Sequence, residues 1–315
     1  MNNLTKHTPV MLTESINALA IEKNGIYVDA TFGFGGHSKA ILSKLGKAGK
    51  LYALDKDASV IKIAEQEFIH DKRFTLKHGC FSSLESLSKE WGIHGSVNGI
   101  LFDLGVSSEH LDNPKRGFSF IRKGPIDMRF DQSSGISANK WLATASEDLI
   151  SKTIRKYGEE RYAKRIAKRI VLQRGKEKIN TTNDLVQIIN KAIPKNEKNK
   201  HNATRTFQAI RIYINQELEI LRNTLESTYN ILAPKGRLVL ITYHSLEERV
   251  IKDFLTLTDK SLSAPKDLPL SNQFLTKLFK TINKSIKPTN KEIESNIRSR
   301  SAKLNILEKC NEIDS

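Results

Sequence analysis

At 315 residues the chain is long enough for one large domain or two ordinary ones, and 51 Lys and Arg against 35 Asp and Glu leave a formal charge of +16. An excess of that size points to a polyanionic partner, most often nucleic acid, although Lys- and Asn-rich usage from an AT-rich genome also raises it. Cys80 and Cys310, far apart and without a His cluster, argue against a disulfide scaffold or zinc site; no apolar run nears the ~18 residues of a membrane helix, and positions 1–6 are polar, so a soluble cytoplasmic protein with no membrane partner is expected.

The segment His7-Thr8-Pro9-Val10-Met11-Leu12 leads into a helix over 13–19, with Thr13 as its N-cap. Gly25-Ile26-Tyr27-Val28 reads as a strand. It runs into Asp29-Ala30-Thr31-Phe32-Gly33-Phe34-Gly35-Gly36-His37, and a periodic stretch follows over 38–45. Strand, glycine-rich turn and helix open a unit that binds a nucleotide-like ligand at strand C-termini. Gly33, Gly35 and Gly36 let the backbone pass close to a ligand where a Cβ would collide. A second strand over 50–54 ends at Asp55, about 20 residues past the glycines, the spacing at which an acid binds ribose hydroxyls.

The glycine pattern lacks the third glycine of a dinucleotide site, because Gly36 continues into His37, Ser38 and Lys39. Asp29 would repel a pyrophosphate but attract the ammonium or sulfonium of S-adenosylmethionine. Methyl transfer therefore leads over NAD chemistry, with a ligand-free glycine turn as the bland alternative.

Further on, 58–67 is amphipathic, 74–79 is a third strand, 83–91 a helix, and 97–102 a fourth strand ending at Asp103. Phe81 suits an adenine ring and core packing equally. Four strands alternating with helices make an α/β parallel sheet. The texture then changes to an irregular basic and aromatic loop, with helices over 137–173 and 182–193 and no strand among them. Arg161, Lys164, Arg165, Lys168 and Arg169 share one helix face without an acid, suiting either RNA or plain solvent. An exposed connector over 195–200 precedes one long helix over 204–228. Strand texture returns at 236–242 after the turn Ala233-Pro234-Lys235, followed by a helix over 246–255, a loop over 258–272, and closing strands over 279–286 and 302–307. The chain thus reads as a discontinuous methyltransferase domain, 1–112 with 217–315, interrupted by a helical substrate-recognition domain over 113–216.

Ligands of open α/β sheets lie outside the carboxyl ends of the strands. Gly33, Gly35 and Gly36 would approach the methionine part of S-adenosylmethionine, Asp55 its ribose and Phe81 its adenine, with Asp103 beside the reactive methyl. No metal is required, because a sulfonium leaves readily and alignment does most of the work.

Several long motifs occur in order: His7-Thr8-Pro9-Val10, the turn from Asp29 to His37, Asp103-Leu104-Gly105-Val106-Ser107-Ser108, Arg116-Gly117-Phe118-Ser119-Phe120 and Gly124-Pro125-Ile126-Asp127-Met128-Arg129. Tyr157-Gly158-Glu159-Glu160-Arg161, Ala203-Thr204-Arg205-Thr206-Phe207-Gln208-Ala209, His244-Ser245-Leu246-Glu247 and Arg298-Ser299-Arg300-Ser301-Ala302-Lys303-Leu304 complete the set. With these the chain resembles the ribosomal RNA small subunit methyltransferase H family, which methylates cytosine N4 in the decoding region of bacterial 16S ribosomal RNA.

The resemblance implies a Rossmann-like class I methyltransferase sheet with a helical insertion, and cofactor contacts at Gly35, Gly36, His37, Asp55, Phe81, Asp103 and position 110. There the chain departs from the family's Pro-Gln and carries Glu109-His110; His110 is kept as a contact able to make one hydrogen bond. Tyr243 stands where the family usually has Phe, an added hydroxyl expected to change little. For catalysis, Asp103 accepts an amine hydrogen and His244 is its partner, against the alternative of a structural histidine. The target cytosine must be splayed or extruded. Phe118 and Phe120, beside Arg116, are candidates for the wall of its pocket, against the reading that they plug the insertion onto the sheet. Arg165, Arg169, Arg205, Arg298 and Arg300 are further RNA contacts. The substrate is small-subunit RNA, naked or in an assembled 30S subunit, and a homodimer is left open. A methyltransferase of another RNA or DNA base, or a catalytically silent RNA-binding assembly protein, are the competing readings.

Overall fold

The computed structural model describes residues 9–68, 70–194, 201–259 and 277–311; positions 1–8, the connector at 195–200 and the loop at 260–272 lie outside them. In chain order come α1 (Leu12–Ala18), β1 (Ile26–Asp29), α2 (Gly36–Lys44), β2 (Lys50–Asp55), α3 (Ala58–Phe68), β3 (Phe74–His78), α4 (Leu84–Glu90) and β4 (Val97–Asp103). Among the described residues six α-helices follow without a strand: α5 (Ser108–Asp112), α6 (Ala138–Thr144), α7 (Glu147–Gly158), α8 (Ala163–Arg174), α9 (Thr182–Ala192) and α10 (Ala203–Asn215). The last third holds α11 (Glu217–Ile231), β5 (Leu232–Thr242), α12 (Ser245–Thr258), β6 (Phe279–Ile286), α13 (Asn290–Ser295) and β7 (Lys303–Lys309). Two compact units result, one from the stretches up to Gly105 and from Leu218 onward, the other Val106–Glu217.

The first unit is a seven-stranded sheet in the order β3-β2-β1-β4-β5-β7-β6. β1 to β5 are parallel, and β7 runs antiparallel between β5 and β6. Its central strands are apolar on both sides, as a sheet covered by helices requires. Tyr27, Leu101, Val239 and Ile241 pack on one face with Ile16 of α1 and Ile41 of α2. Val28, Ile100, Phe102 and Leu240 pack on the other with Leu84 of α4, Leu225 of α11 and Phe254 of α12. The chain winds outward from β1 to β3 and then restarts on the other side at β4. That reversal opens a crevice at the carboxyl ends of β1 and β4, where open α/β sheets take ligands.

Two local expectations change. The N-cap of α1 is Met11, not Thr13, in a left-handed conformation with its N–H donated to Glu292 Oε1 at 2.6 Å. Ala233-Pro234-Lys235 is not a turn ahead of the strand but an irregularity inside β5. Val97 pairs with Leu232 and Gly99 already with Arg237, so the extra residues loop out around Lys235 at φ 63°.

The second unit is all helical, with Ile150, Ile154, Ile166, Ile170, Ile189, Phe207 and Ile210 in its core. The single helical stretch expected over 137–173 is three helices. Ser146 caps α7 by accepting the Leu149 N–H at 3.1 Å, and Glu159 ends it at φ 51°. The long helix expected over 204–228 breaks at Gln216, φ 52°. The cause lies in Asn215, whose side-chain oxygen accepts the Phe130 N–H at 2.9 Å and whose amide donates to the Met128 carbonyl at 2.7 Å. Ending the helix at this residue lets its amide serve a loop that would otherwise hold unpaired backbone groups. Asn215→Ala is expected to cost about 1–3 kcal/mol in urea unfolding; an unchanged midpoint would refute this origin of the break.

Candidate active site

Three strands end in aspartates, and each carboxylate is held differently. Asp29, closing β1, is only 1% exposed. Its Oδ2 accepts the Ser38 hydroxyl at 2.7 Å and its Oδ1 the Thr31 N–H at 3.3 Å. Desolvation pushes its carboxyl above the usual range. Through these two bonds the carboxylate braces the glycine turn. Asp55, closing β2, accepts the Gly33 N–H at 2.7 Å and the Asp57 N–H at 2.8 Å, one on each oxygen. Each oxygen retains a lone pair for a hydroxyl, and burial raises the group to about 6.

Asp103, closing β4, keeps 24% of its side-chain exposure, which makes it the open carboxylate of the crevice beside a sealed Asp29. Its backbone N–H donates to Thr31 Oγ1 at 2.6 Å, tying β4 to the glycine turn. Its Oδ1 accepts the Tyr243 hydroxyl at 2.7 Å, and burial pushes the carboxyl up to about 7. His37 stands near Oδ2, with its Nδ1 3.9 Å away. Burial lowers the pKa of His37, so the ring is neutral. With Nε2 3.1 Å from the Val10 carbonyl, the proton belongs on Nε2 and Nδ1 is an acceptor.

The glycines divide by purpose. A Cβ at Gly36 would lie 2.1 Å from the Pro9 ring and one at Gly35 2.6 Å from Phe32, so both serve packing inside the protein. Gly33 differs: its φ is 54° and a Cβ there would come no nearer than 4.0 Å to the Thr31 carbonyl. That open face, the lone pairs of Asp55 and the half-buried Phe81, whose ring meets Phe102 edge-on at 5.4 Å, fit a nucleoside with a charged tail.

Several sequence-stretch candidates hold other work. His244 is the N-cap of α12, where Nδ1 accepts the Glu247 N–H at 3.4 Å and Nε2 lies 3.3 Å from Glu247 Oε1. Its Nδ1 serves the helix cap, and its buried Nε2 lies beside the Glu247 carboxylate. In the helical unit, His110 is buried with Nδ1 against Ser107 and its ring against Phe118 and Phe130 at 4.9 and 5.2 Å. It closes the capping box of α5, whose N-cap is Ser107, and packs in the helical core. Arg116, 5% exposed, donates to the carbonyls of Arg129 and Phe130, so it is structural rather than an RNA contact. Phe118, 6% exposed, stacks on Phe130 at 5.4 Å and belongs to the core instead of a pocket wall. Phe120 is half-buried, stacked on His201 at 4.7 Å. Arg165 and Arg169 are exposed on α8; Arg205 lies 3.7 Å from Glu160; Arg298 and Arg300 are exposed in the turn before β7. Sequence reasoning passed over the Tyr243 hydroxyl, for which the one signal was a Tyr at a position where Phe is usual.

Parallel strands in this order with an antiparallel β7, acidic strand ends and a glycine turn define a Rossmann-like class I methyltransferase sheet. The family model of the MraW methylase family matches residues 4–310, and the chain belongs to that family. It is 47% identical over 306 residues to a ribosomal RNA small subunit methyltransferase H of Legionella pneumophila, covering 97% of this chain and 99% of the relative. To the protein of that name from Alteromonas mediterranea it is 48% identical over 309 residues, covering 98% of each. Among solved structures it is similar to an rRNA methylase from Streptococcus thermophilus at 13% identity and TM-score 0.43, covering 98% of this chain and 99% of the other. A SAM-dependent O-methyltransferase from Thermotoga maritima gives 10% identity and TM-score 0.43, covering 99% and 71%. Among the described residues no helix is long and apolar enough to cross a membrane.

The raised carboxyls set a pH dependence. Asp103 and Asp55 stay protonated in the folded chain to about 7 and about 6, above the 3.8 of the free group. The folded state thus holds protons the unfolded state has lost, so their contribution is full below pH 4 and falls away as pH rises to 7. Asp103→Asn is expected to flatten the fall in stability of the ligand-free protein between pH 4 and 7, by at most about 1.4 kcal/mol per pH unit. Parallel melting curves for the variant and wild type across that window would contradict it.

Proposed function

We propose that the protein methylates the N4 amine of a cytidine in the decoding region of small-subunit ribosomal RNA. The observation that carries this reading is near-complete alignment, at 47–48% identity, with relatives named ribosomal RNA small subunit methyltransferase H. S-adenosylmethionine is the methyl donor; when bound, it supplies a methyl on a sulfonium, which passes to N4 as the carbon–sulfur bond breaks and sulfur keeps the electron pair.

The chain's own groups explain how the donor and amine are held. The open backbone at Gly33 accommodates the donor's tail, Asp55 takes the ribose hydroxyls, and Phe81 offers a face to adenine. Asp103 addresses the chemical difficulty that the N4 lone pair is delocalised into the ring. Its carboxylate accepts an N4 hydrogen, which returns electron density to nitrogen as the bond to methyl forms, and the surplus proton leaves through that carboxylate or water. Alignment supplies most of the acceleration.

RNA is gripped by the helical unit. Arg161, Lys164, Arg165, Lys168 and Arg169 are all exposed on and just before α8. Tyr162 lies under the guanidinium groups of Arg161 and Arg165 at 4.6 and 5.8 Å, an arrangement that suits a phosphate chain with a base alongside.

Asp55→Ala is expected to weaken S-adenosylmethionine binding by about 1.5–3 kcal/mol for each lost charge-assisted hydrogen bond, with the fold intact; unchanged affinity in calorimetry removes Asp55 from the ribose. Reversing both Arg165 and Arg169 to Glu should lower RNA affinity and reduce the salt slope by about 1.5, leaving cofactor affinity as it was. An unchanged slope makes that face a solvated surface. The activity itself is tested by incubating naked small-subunit RNA and assembled 30S subunits with labelled donor and resolving the nucleosides by mass spectrometry. N4-methylcytidine from either substrate is expected, and a label on another base or atom overturns the reading.

A further inference from the structure

Tyr243 follows the last residue of β5, and its backbone is fixed there. Its N–H donates to Glu247 Oε2 at 2.6 Å, within the capping box at the start of α12. Its ring lies against the backbone of Gly105, where φ is 93° and a Cβ would stand 3.4 Å from the ring. From that seat the hydroxyl donates to Asp103 Oδ1 at 2.7 Å. Among the described residues it is the one side-chain hydrogen bond to this carboxylate.

Among the described residues no cation does that work instead. The groups facing Asp103 are His37 from α2, neutral by burial and 3.9 Å away, and Asp29 from β1, which is sealed and acidic. Those acting on Tyr243 are Glu247 of α12 and Glu292 of α13, together with Asp103 itself. Burial first, and then these acids, push the phenol's pKa up, so the hydroxyl keeps its proton and donates to the carboxylate.

We propose that Tyr243 is a positioning residue for methyl transfer: its hydroxyl pins Asp103 by Oδ1, favours the ionised carboxylate, and reserves Oδ2 as the acceptor for an N–H of the donor or the target amine. The inference rests on the reading of Asp103 in the proposed function. It assigns a task to a side chain that sequence reasoning took to be a neutral exchange for Phe. The hydrogen bond opposes the upward push of burial on Asp103, so losing it must raise the pH at which the carboxylate forms.

The test is the pH dependence of Tyr243→Phe beside wild type, read in two ways. The Asp103 carboxyl carbon, assigned by its absence in Asp103→Asn, is titrated by NMR in the ligand-free protein, and the acid limb of methylation is measured on small-subunit RNA. A charge-assisted hydrogen bond corresponds to about one to two pH units. Both midpoints are expected to move up by that amount, with methylation recovering at alkaline pH and an unchanged melting temperature at pH 8. Incorporating 3-fluorotyrosine at 243 keeps ring and hydroxyl but makes a better donor, so both midpoints should move down; this arm decides the matter even if the Phe variant folds poorly. Unmoved midpoints in both proteins overturn the proposal, as does a loss of rate equal at every pH. A carboxyl midpoint that shifts as expected in a protein that methylates no RNA sustains the Tyr243–Asp103 link and overturns the methyltransferase reading instead.

Discussion

Neighbouring parallel strands of one sheet end in carboxylates, and among the described residues no cation neutralises the charge that the fold desolvates. Asp29, Asp55 and Asp103 are satisfied almost wholly by neutral donors: Ser38 and Thr31, Gly33 and Asp57, and Tyr243. The basic ring nearby among the described residues, His37, is itself made neutral by burial. Protein that is short of positive charge at this point while carrying +16 overall has left room for a cation to arrive with a ligand. Each carboxyl is accordingly displaced upward, and relief comes when a positive or hydroxyl-bearing group enters. The glycine turn, the tie from the Asp103 N–H to Thr31 and the capping box after β5 all serve to hold this cluster in place.

The parallel strands were legible in the sequence because a strand covered on both faces must be largely apolar, and Ile100, Leu101 and Phe102 announce β4 that way. The glycine turn was legible from composition, but not its division of labour. Gly36 is glycine because Pro9, more than two dozen positions earlier, presses against it, and no local pattern contains that contact. The break at Gln216 was hidden for the same reason: 204–228 has unbroken helical periodicity, and only the demand of the 128–130 loop on Asn215 ends α10 there. In α7 the cap at Ser146 was present in the sequence and overlooked within a helical run.

Charge type alone misled most where side chains point inward. Arg116 and Phe118 sit in a basic, aromatic loop that looks made for RNA, yet the guanidinium closes carbonyls at 129 and 130 and the ring stacks in the helical core. The aspartates were likewise indistinguishable by spacing; exposure, 1% for Asp29 against 24% for Asp103, separates the brace from the open group. Periodicity was the better guide on α8, where the basic face does look outward and Ile166 and Ile170 fill the core behind it.

The central claim is that Asp103 is held largely protonated just below neutrality and ionises when the donor binds. Calorimetry of S-adenosylmethionine binding at pH 6.5, repeated in buffers of different ionisation enthalpy, counts the protons exchanged. At that pH the ligand's own amine, with a pKa of about 8, is already charged, so any release comes from the protein. With Asp103 at about 7, release of a substantial fraction of a proton is predicted, shrinking toward zero at pH 8.5 once the ligand's own uptake is subtracted. Binding heats that do not depend on the buffer at pH 6.5, or that show proton uptake, would contradict the account.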